Sequence, residues 1–183
     1  MKAPRWLFIT AGLAVALASG CVLSVEGNLP EIEVVQRGLS IPGVPREARA
    51  SEPTAGVASF FQPNDHLGLE PETYASVHVK EVVLSAKSGV DDLSFIHSLR
   101  IGMNGLQGFV AGTAPVEVAH YQRSATAGPP VGPTITMRNS QPVPVIEAWR
   151  DSMAVLTLQA QGDLPETAWT VDIIVRLSAV LKY

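Results

Sequence analysis

The fold is decided by the stretch Trp169-Thr170-Val171-Asp172-Ile173-Ile174-Val175-Arg176-Leu177-Ser178. Its odd-numbered residues are all apolar, whereas four of its five even-numbered residues are polar or charged. A period of two is typical of a β-strand with one face in the core and the other toward solvent. The stretch therefore predicts a long strand whose odd-numbered side chains are buried.

The same alternation recurs in shorter form along the chain, between 14 prolines and 15 glycines. It predicts strands at residues 31–36, 57–61, 73–87, 99–103, 116–122, 134–138 and 152–161. No recurring helical period separates these segments, which argues against parallel strands joined by helices. We predict an all-β fold for residues 31–183, an antiparallel β-sandwich of eight or nine strands that is immunoglobulin-like in architecture.

Three segments predict departures from regular strands. In residues 73–87 the apolar positions are odd up to Val79 and even from Val82, and such a change of phase needs one extra residue. We therefore predict a β-bulge near Lys80-Glu81. Pro142-Val143-Pro144 cannot donate two ladder hydrogen bonds and is predicted at a sheet edge or at a crossing between sheets. Residues 37–56 are predicted to form a long loop, either mobile or partner-binding.

The amino terminus has the organisation of an export signal. Lys2 and Arg5 precede an apolar run at residues 6–18, and the small residues Ser19 and Gly20 follow. A helix of about 13 residues rises only about 20 Å, which is too short for a hydrocarbon core of about 30 Å. Residues 1–20 are therefore predicted to be a cleaved signal peptide.

The residues Leu17-Ala18-Ser19-Gly20-Cys21 resemble the lipobox of bacterial membrane lipoproteins, and Cys21 is the sole cysteine of the chain. The resemblance implies cleavage between Gly20 and Cys21 and lipidation of Cys21 with acyl chains such as palmitate. Residues 21–30 would then form a lipidated tether. Ala18 stands where the family most often has leucine. Val22, rather than an aspartate, goes with export to the outer membrane in enterobacterial members. The alternative is an ordinary secretory signal that leaves Cys21 as a free thiol.

Composition limits the partners of the mature chain. Loss of residues 1–20 leaves 163 residues with 11 basic and 17 acidic side chains, a net charge of −6. Such a body is a poor partner for nucleic acid and is not attracted to anionic lipid head groups. The expected contact with the membrane is the lipid on Cys21, and the expected further partner is an envelope protein.

The residues that could carry chemistry form no recognised motif. His66, His78, His97 and His120 have no metal-ligand spacing, and the phase of His97 and His120 with apolar neighbours predicts imidazoles inside the body. Turn and cap chemistry accounts for a set of oxygen-bearing side chains, Asn64, Asp65, Asp91, Asp92 and Asn104. Residues 102–108 are glycine-rich and predict a hairpin connection rather than a phosphate loop. We predict no catalytic, cofactor-binding or metal site.

Two functions remain open at this point. The first is a non-enzymatic envelope lipoprotein whose sandwich offers edge strands and loops to a protein partner, or has a structural role. The second is a periplasmic carrier of a lipid or other apolar ligand. Five side chains separate the two, by filling a closed core or by lining a cavity: Leu156, Leu158, Val171, Ile173 and Val175. An enzyme would need two of the histidines to meet a carboxylate in an open cleft.

Overall fold

The computed structural model describes residues 26–29, 31–48, 53–70, 73–106, 115–124, 132–149 and 152–182. These ranges contain nine strands: β1 (Glu26–Asn28), β2 (Ile32–Ile41), β3 (Thr54–Phe61), β4 (Tyr74–Ser88), β5 (Ile96–Leu106), β6 (Val116–Gln122), β7 (Thr134–Trp149), β8 (Met153–Gly162) and β9 (Trp169–Lys182). One α-helical turn, α1 (Asn64–Leu67), and one 3-10 turn (Arg46–Ala48) interrupt them. The antiparallel β-sandwich is confirmed, and the immunoglobulin-like detail stays a prediction.

The strands form two antiparallel sheets. The five-stranded sheet has the order β1-β9-β4-β7, with β2 also paired to β9, and the four-stranded sheet has the order β3-β8-β5-β6. Because β4 occupies one edge of β9 over most of its length, β1 and β2 follow one another along the opposite edge. The last strand of the chain is therefore an interior strand of its sheet.

The core lies between the two inner faces. In β9 every odd-numbered residue from Trp169 to Ala179 is at most 2% exposed, and the even-numbered residues alternate with them outside the core. The alternation predicted from the sequence is thus confirmed. The five side chains that separate an interaction domain from a carrier, Leu156, Leu158, Val171, Ile173 and Val175, are fully buried and belong to one cluster. They fill the space between the sheets.

The β-bulge predicted in β4 is present. Val79 pairs with Leu177 of β9 and Glu81 pairs with Arg176, so Lys80 is the extra residue. The ladder between β4 and β7 shifts at the same place. As a result Val82 joins the core, while Glu81 lies on the outer face opposite Arg176.

Strand β7 is longer than predicted and lies at the edge of its sheet, as the two prolines require. Val143 and Pro144 pair with Val79 and His78 of β4, whereas residues 139–142 bulge out of the ladder. Asn139, at the start of this bulge, donates its side-chain amide to the carbonyl of Val79, at 3.2 Å, and to that of Val118 in β6, at 2.8 Å. One side chain therefore links the two sheets.

The long loop predicted at residues 37–56 is wrong at both ends. Strand β2 continues to the buried Ile41 through a second bulge, where Gly38 has a φ of 61° and its amide donates to Asp172 at 2.7 Å. The sequence does not predict this part of the strand. The bulge interrupts the alternation of apolar and polar residues, and the glycines, prolines and charged residues at 37–46 are typical of a loop. A hydrogen bond also fixes part of the connection between β2 and β3: the Val44 N–H donates to the Pro165 carbonyl at 2.9 Å.

The tether predicted at residues 21–30 is also shorter than expected. Residues 26–28 pair with residues 180–182 of β9, and the Leu29 amide donates to Ala179 at 2.9 Å. The pairing is too short to produce a readable alternation, so the sequence pattern does not show it. Within the described ranges, no helix is both long and apolar enough to cross a bilayer.

Candidate functional site

The predicted lipidation and cleavage residues, Cys21 and Gly20, lie outside the described residues. The first described residue is Glu26, which is paired in the sheet, and four residues separate it from Cys21 in the sequence. An extended chain spans at most about 3.3–3.6 Å per residue, which limits the reach from Cys21 to Glu26 to about 17 Å. The length of chain alone therefore limits how far a lipid on Cys21 could lie from β1.

The prediction that His97 lies inside the body is wrong. Between Ile96 and Ser98 the ladder from β5 to β8 shifts its register, so the histidine falls in an irregular position and its side chain is 34% exposed. Its Nε2 lies 3.2 Å from an oxygen of Asp163, a carboxylate that is 83% exposed. This histidine lies on the surface, at the end of the four-stranded sheet.

The prediction for His120 fails for the same physical reason. The register of β6 against β5 shifts, and Val118 and Ala119 are both buried although they are consecutive. This change of phase turns His120 outward, opposite Arg100. Its Nδ1 lies 4.0 Å from Glu117. Neither bulge leaves a mark in the hydrophobic pattern as clear as the one in β4.

The four histidines do not come together. His66 lies in α1, His78 on β4 of the five-stranded sheet, and the other two on β5 and β6 of the opposite sheet. Among the residues that the structure describes, no group of three histidine, cysteine, aspartate or glutamate side chains could hold a metal ion.

Two of the five oxygen-bearing side chains, Asn64 and Asp92, serve turns, as predicted. Asn64 accepts a hydrogen bond from the Leu69 amide. Asp92 accepts from the Ser94 hydroxyl at 2.6 Å and from its amide at 2.8 Å, and these hydrogen bonds lower the pKa of the Asp92 carboxyl below its ordinary value. Residues 102–106 belong to β5 and not to a hairpin connection, and residues 107–108 lie outside the described part of the chain.

A row of alternating charges crosses the outer face of the five-stranded sheet. Its members are consecutive cross-strand partners on β2, β9, β4 and β7, and we call them the charge ladder: Glu33, Arg176, Glu81 and Arg138. Arg176 donates to Glu33 at 2.9 Å and to Glu81 at 2.7 Å, and Arg138 donates to the second oxygen of Glu81 at 2.6 Å. Opposite charges directly across from one another stabilise the pairing of strands.

Glu81 is the central residue of the charge ladder, because it is the most buried member and contacts both arginines. Its side chain is only 11% exposed, and each of its two oxygens accepts from a different arginine. The hydrogen bond to Glu33, followed by the charge of Glu81, raises the pKa of Arg176 above its ordinary value. Because the charges are paired along the row, the charge ladder holds strand register.

The outer face of the four-stranded sheet carries two shallow polar clefts that share Arg100 and Gln159. Their volumes are about 110 and 170 Å³. Gly102 lines the larger cleft, and a Cβ there would lie 2.6 Å from the Thr157 hydroxyl. Pockets that enclose a small organic ligand usually have about 300–1,000 Å³. These two clefts are surface depressions between side chains.

The edge of the four-stranded sheet formed by β3 has the chemistry of a contact surface. The strand, Thr54–Phe61, contains no charged residue and no proline, and all eight residues pair with β8 without a bulge. Its contact with β2 runs through inward-facing side chains, since the Ser59 hydroxyl donates to Gln36 at 2.8 Å. Phe60 projects from the outer face with 61% of its surface exposed.

Such an edge is unusual because exposed strands normally carry lysine, proline or a bulge that blocks pairing with another chain. No described strand pairs with the second edge of β3. An exposed aromatic residue beside unpaired backbone groups is the arrangement that strand addition uses. We call residues Thr54–Phe61 and their unpaired side the β3 edge.

Sequence reasoning missed the β3 edge and the charge ladder for different reasons. The strand at residues 57–61 was predicted, but nothing in a single strand's pattern shows that it is the last of its sheet. The charge ladder joins residues up to 143 positions apart, and its one readable sign was the bulge that turns Glu81 outward. Comparisons with models of protein families, with curated proteins and with solved structures found no match.

Proposed function

We propose that this protein is a bacterial envelope lipoprotein, anchored through acyl chains on Cys21, whose sandwich serves a non-enzymatic role in contact with another protein. The proposed location is the outer membrane, on the basis of Val22. The anchor rests on the lipobox resemblance of residues 17–21. Two or three acyl chains on one cysteine would make release negligible, because each buried methylene contributes about 0.8 kcal/mol.

The single observation that supports protein contact is the β3 edge. An uncharged, unbulged edge strand with an exposed Phe60 is a surface that a second strand can extend. The buried state of Leu156, Ile173 and the other core residues favours this function over a carrier, since those side chains occupy the space a ligand would need.

Membrane partition tests the anchor. Wild-type protein and the Cys21→Ser variant are expressed as full chains, and envelope fractions are extracted with a detergent that separates on warming. We expect the wild type in the detergent phase and the variant in the aqueous phase. Equal partition of the two chains would contradict the lipid anchor.

Affinity isolation from solubilised envelopes tests the contact. We expect a partner to be retained by the wild type and lost with Phe60→Asp, which places a charge on the β3 edge. Val116→Asp is the matched control because Val116 is the exposed apolar residue of β6, at the other side of the same sheet. Loss of the partner with both variants, or with neither, would contradict a role for the β3 edge.

A further inference from the structure

The β3 edge is complementary to itself. In an antiparallel pair, residues directly opposite one another share a face, so β3 can pair with a second β3 only in registers that keep outer residues opposite outer residues. The outer residues are Thr54, Gly56, Ala58 and Phe60, because the buried Ala55 and Phe61 face the core.

One such register places a two-fold axis through Ala58. Ala58 then lies opposite its own copy, and Phe60 of each chain lies opposite Gly56 of the other. Gly56 has no side chain to cover the sheet, while Phe60 is the large apolar side chain left exposed on this strand. Aromatic residues that lie across from edge glycines cover exposed backbone and fix the register. The inner residues are also complementary in size, because the small Ala55 lies opposite the large Phe61.

No like charges would meet in this pairing. The chain is acidic, with a net charge of −4 over all residues, so a second copy can approach most easily through a surface that carries no charge. The β3 edge carries no charge over its eight residues. We propose that β3 pairs antiparallel with β3 of a second copy of this chain, about a two-fold axis at Ala58, and so joins two four-stranded sheets into one.

The inference rests on the proposed function, since it names the partner of the same edge. An isologous contact of this kind closes on itself, because each copy uses its only β3 edge. The product is a dimer and not a growing fibre. It also protects from further pairing an edge strand that the sequence leaves without lysine or proline.

Cysteine cross-linking in cells tests the register. Residues directly opposite in an antiparallel pair have Cα atoms about 4.5–5.5 Å apart, within the range of a disulfide. We expect Ala58→Cys, in the full chain, to form a disulfide-linked dimer on mild oxidation. Thr157→Cys is the matched control, because Thr157 is the partner of Ala58 on β8 and faces the same side. Its copy would lie about 14 Å away, three strand spacings across the axis.

The dimer of Ala58→Cys should exceed that of Thr157→Cys by about tenfold or more, since a disulfide does not close beyond about 7 Å between Cα atoms. Adding Phe60→Asp should remove it, and adding Val116→Asp should leave it unchanged. Each variant is repeated with Cys21→Ser, so that a dimer linked through residue 21 is identified. An equal yield at residues 58 and 157, or a dimer that survives Phe60→Asp, would overturn the inference.

The same gels separate this inference from the proposed function. If Ala58→Cys links to a different protein and this adduct is lost with Phe60→Asp, the β3 edge binds a partner that is not a second copy, and only the inference fails. If no adduct of either kind forms at residue 58, and the affinity isolation is also empty, both fail.

Discussion

Gly162 shows how a single position limits the packing at one end of the sandwich. It pairs with Ile96 at a φ of 147°, and a Cβ there would overlap the Phe95 carbonyl oxygen and lie 2.8 Å from the His97 amide nitrogen. That carbonyl also accepts from the Asp163 amide at 2.9 Å. The backbone of β8 can approach the turn before β5 only because residue 162 has no side chain.

We expect Gly162→Ala to lower the free energy of unfolding by about 3–5 kcal/mol, from backbone strain and overlap together. Gly68→Ala is the control: Gly68 has a φ of 62°, but a Cβ there meets nothing within 4 Å. Gly68→Ala should lower the free energy of unfolding by only about 1–2 kcal/mol, the cost of placing a residue with a Cβ in the left-handed conformation. Urea denaturation of both variants measures the difference, and equal losses would show that the close approach does not matter.

At the scale of one charge, Glu81 is the residue on which the charge ladder depends. Glu81→Gln removes the negative charge between Arg176 and Arg138, and we expect a loss of about 2–3 kcal/mol because charge-assisted hydrogen bonds contribute about 1.5–3 kcal/mol each. The control is Glu166→Gln, which breaks an ion pair with Arg46 whose side chains are 46% and 80% exposed. Exposed pairs of this kind contribute about 0–1 kcal/mol. Thermal unfolding that shows equal effects for the two variants would contradict the assignment.

Among the elements, β7 shows how the two sheets are joined at one side. Asn139→Ala removes both amide donations, to Val79 in β4 and to Val118 in β6, and leaves buried carbonyl groups without this partner. We expect a loss of about 1–3 kcal/mol. Amide hydrogen exchange should increase more in β6 than in β8, whose neighbours are unchanged. Uniform exchange across the four-stranded sheet would contradict a local link.

The strands also show what a sequence can and cannot predict. β9 and β4 were readable because their faces are sharply different, and in β4 even the bulge at Lys80 was visible as a change of phase in long apolar runs. The bulges in β2, β5 and β6 were not, because each is close to a strand end or to a glycine. On each side of these bulges the alternating run is too short to show which residues face the core. The sequence therefore predicts the wrong face for His97 and His120.

For the molecule as a whole, the candidate site depends on which strands are neighbours. The alternation at residues 57–61 shows a strand, but its place at the end of β3-β8-β5-β6 is set by the pairing of strands far apart in the chain. The resemblance to a lipobox, by contrast, depends on five consecutive residues, and the sequence alone is enough to propose it. Sequence therefore predicted the sandwich and the anchor, and the structure was needed to identify the β3 edge.

An anchor at Cys21 would limit how far the sheet can lie from the membrane. Glu26 pairs with Lys182, and Lys182 also pairs with Tyr74 and places its ammonium group 5.7 Å from the centre of that ring. With lipid on Cys21 and a reach of about 17 Å to Glu26, this end of the five-stranded sheet would lie within about 17 Å of the residue that carries the lipid.

Intact-mass measurement of the chain extracted from envelopes tests the lipid anchor most directly. We predict a chain that begins at Cys21, without residues 1–20, and that carries the mass of a diacylglycerol and a further acyl group. A chain that carries a free thiol at Cys21, or that is recovered from the culture fluid, would contradict the account.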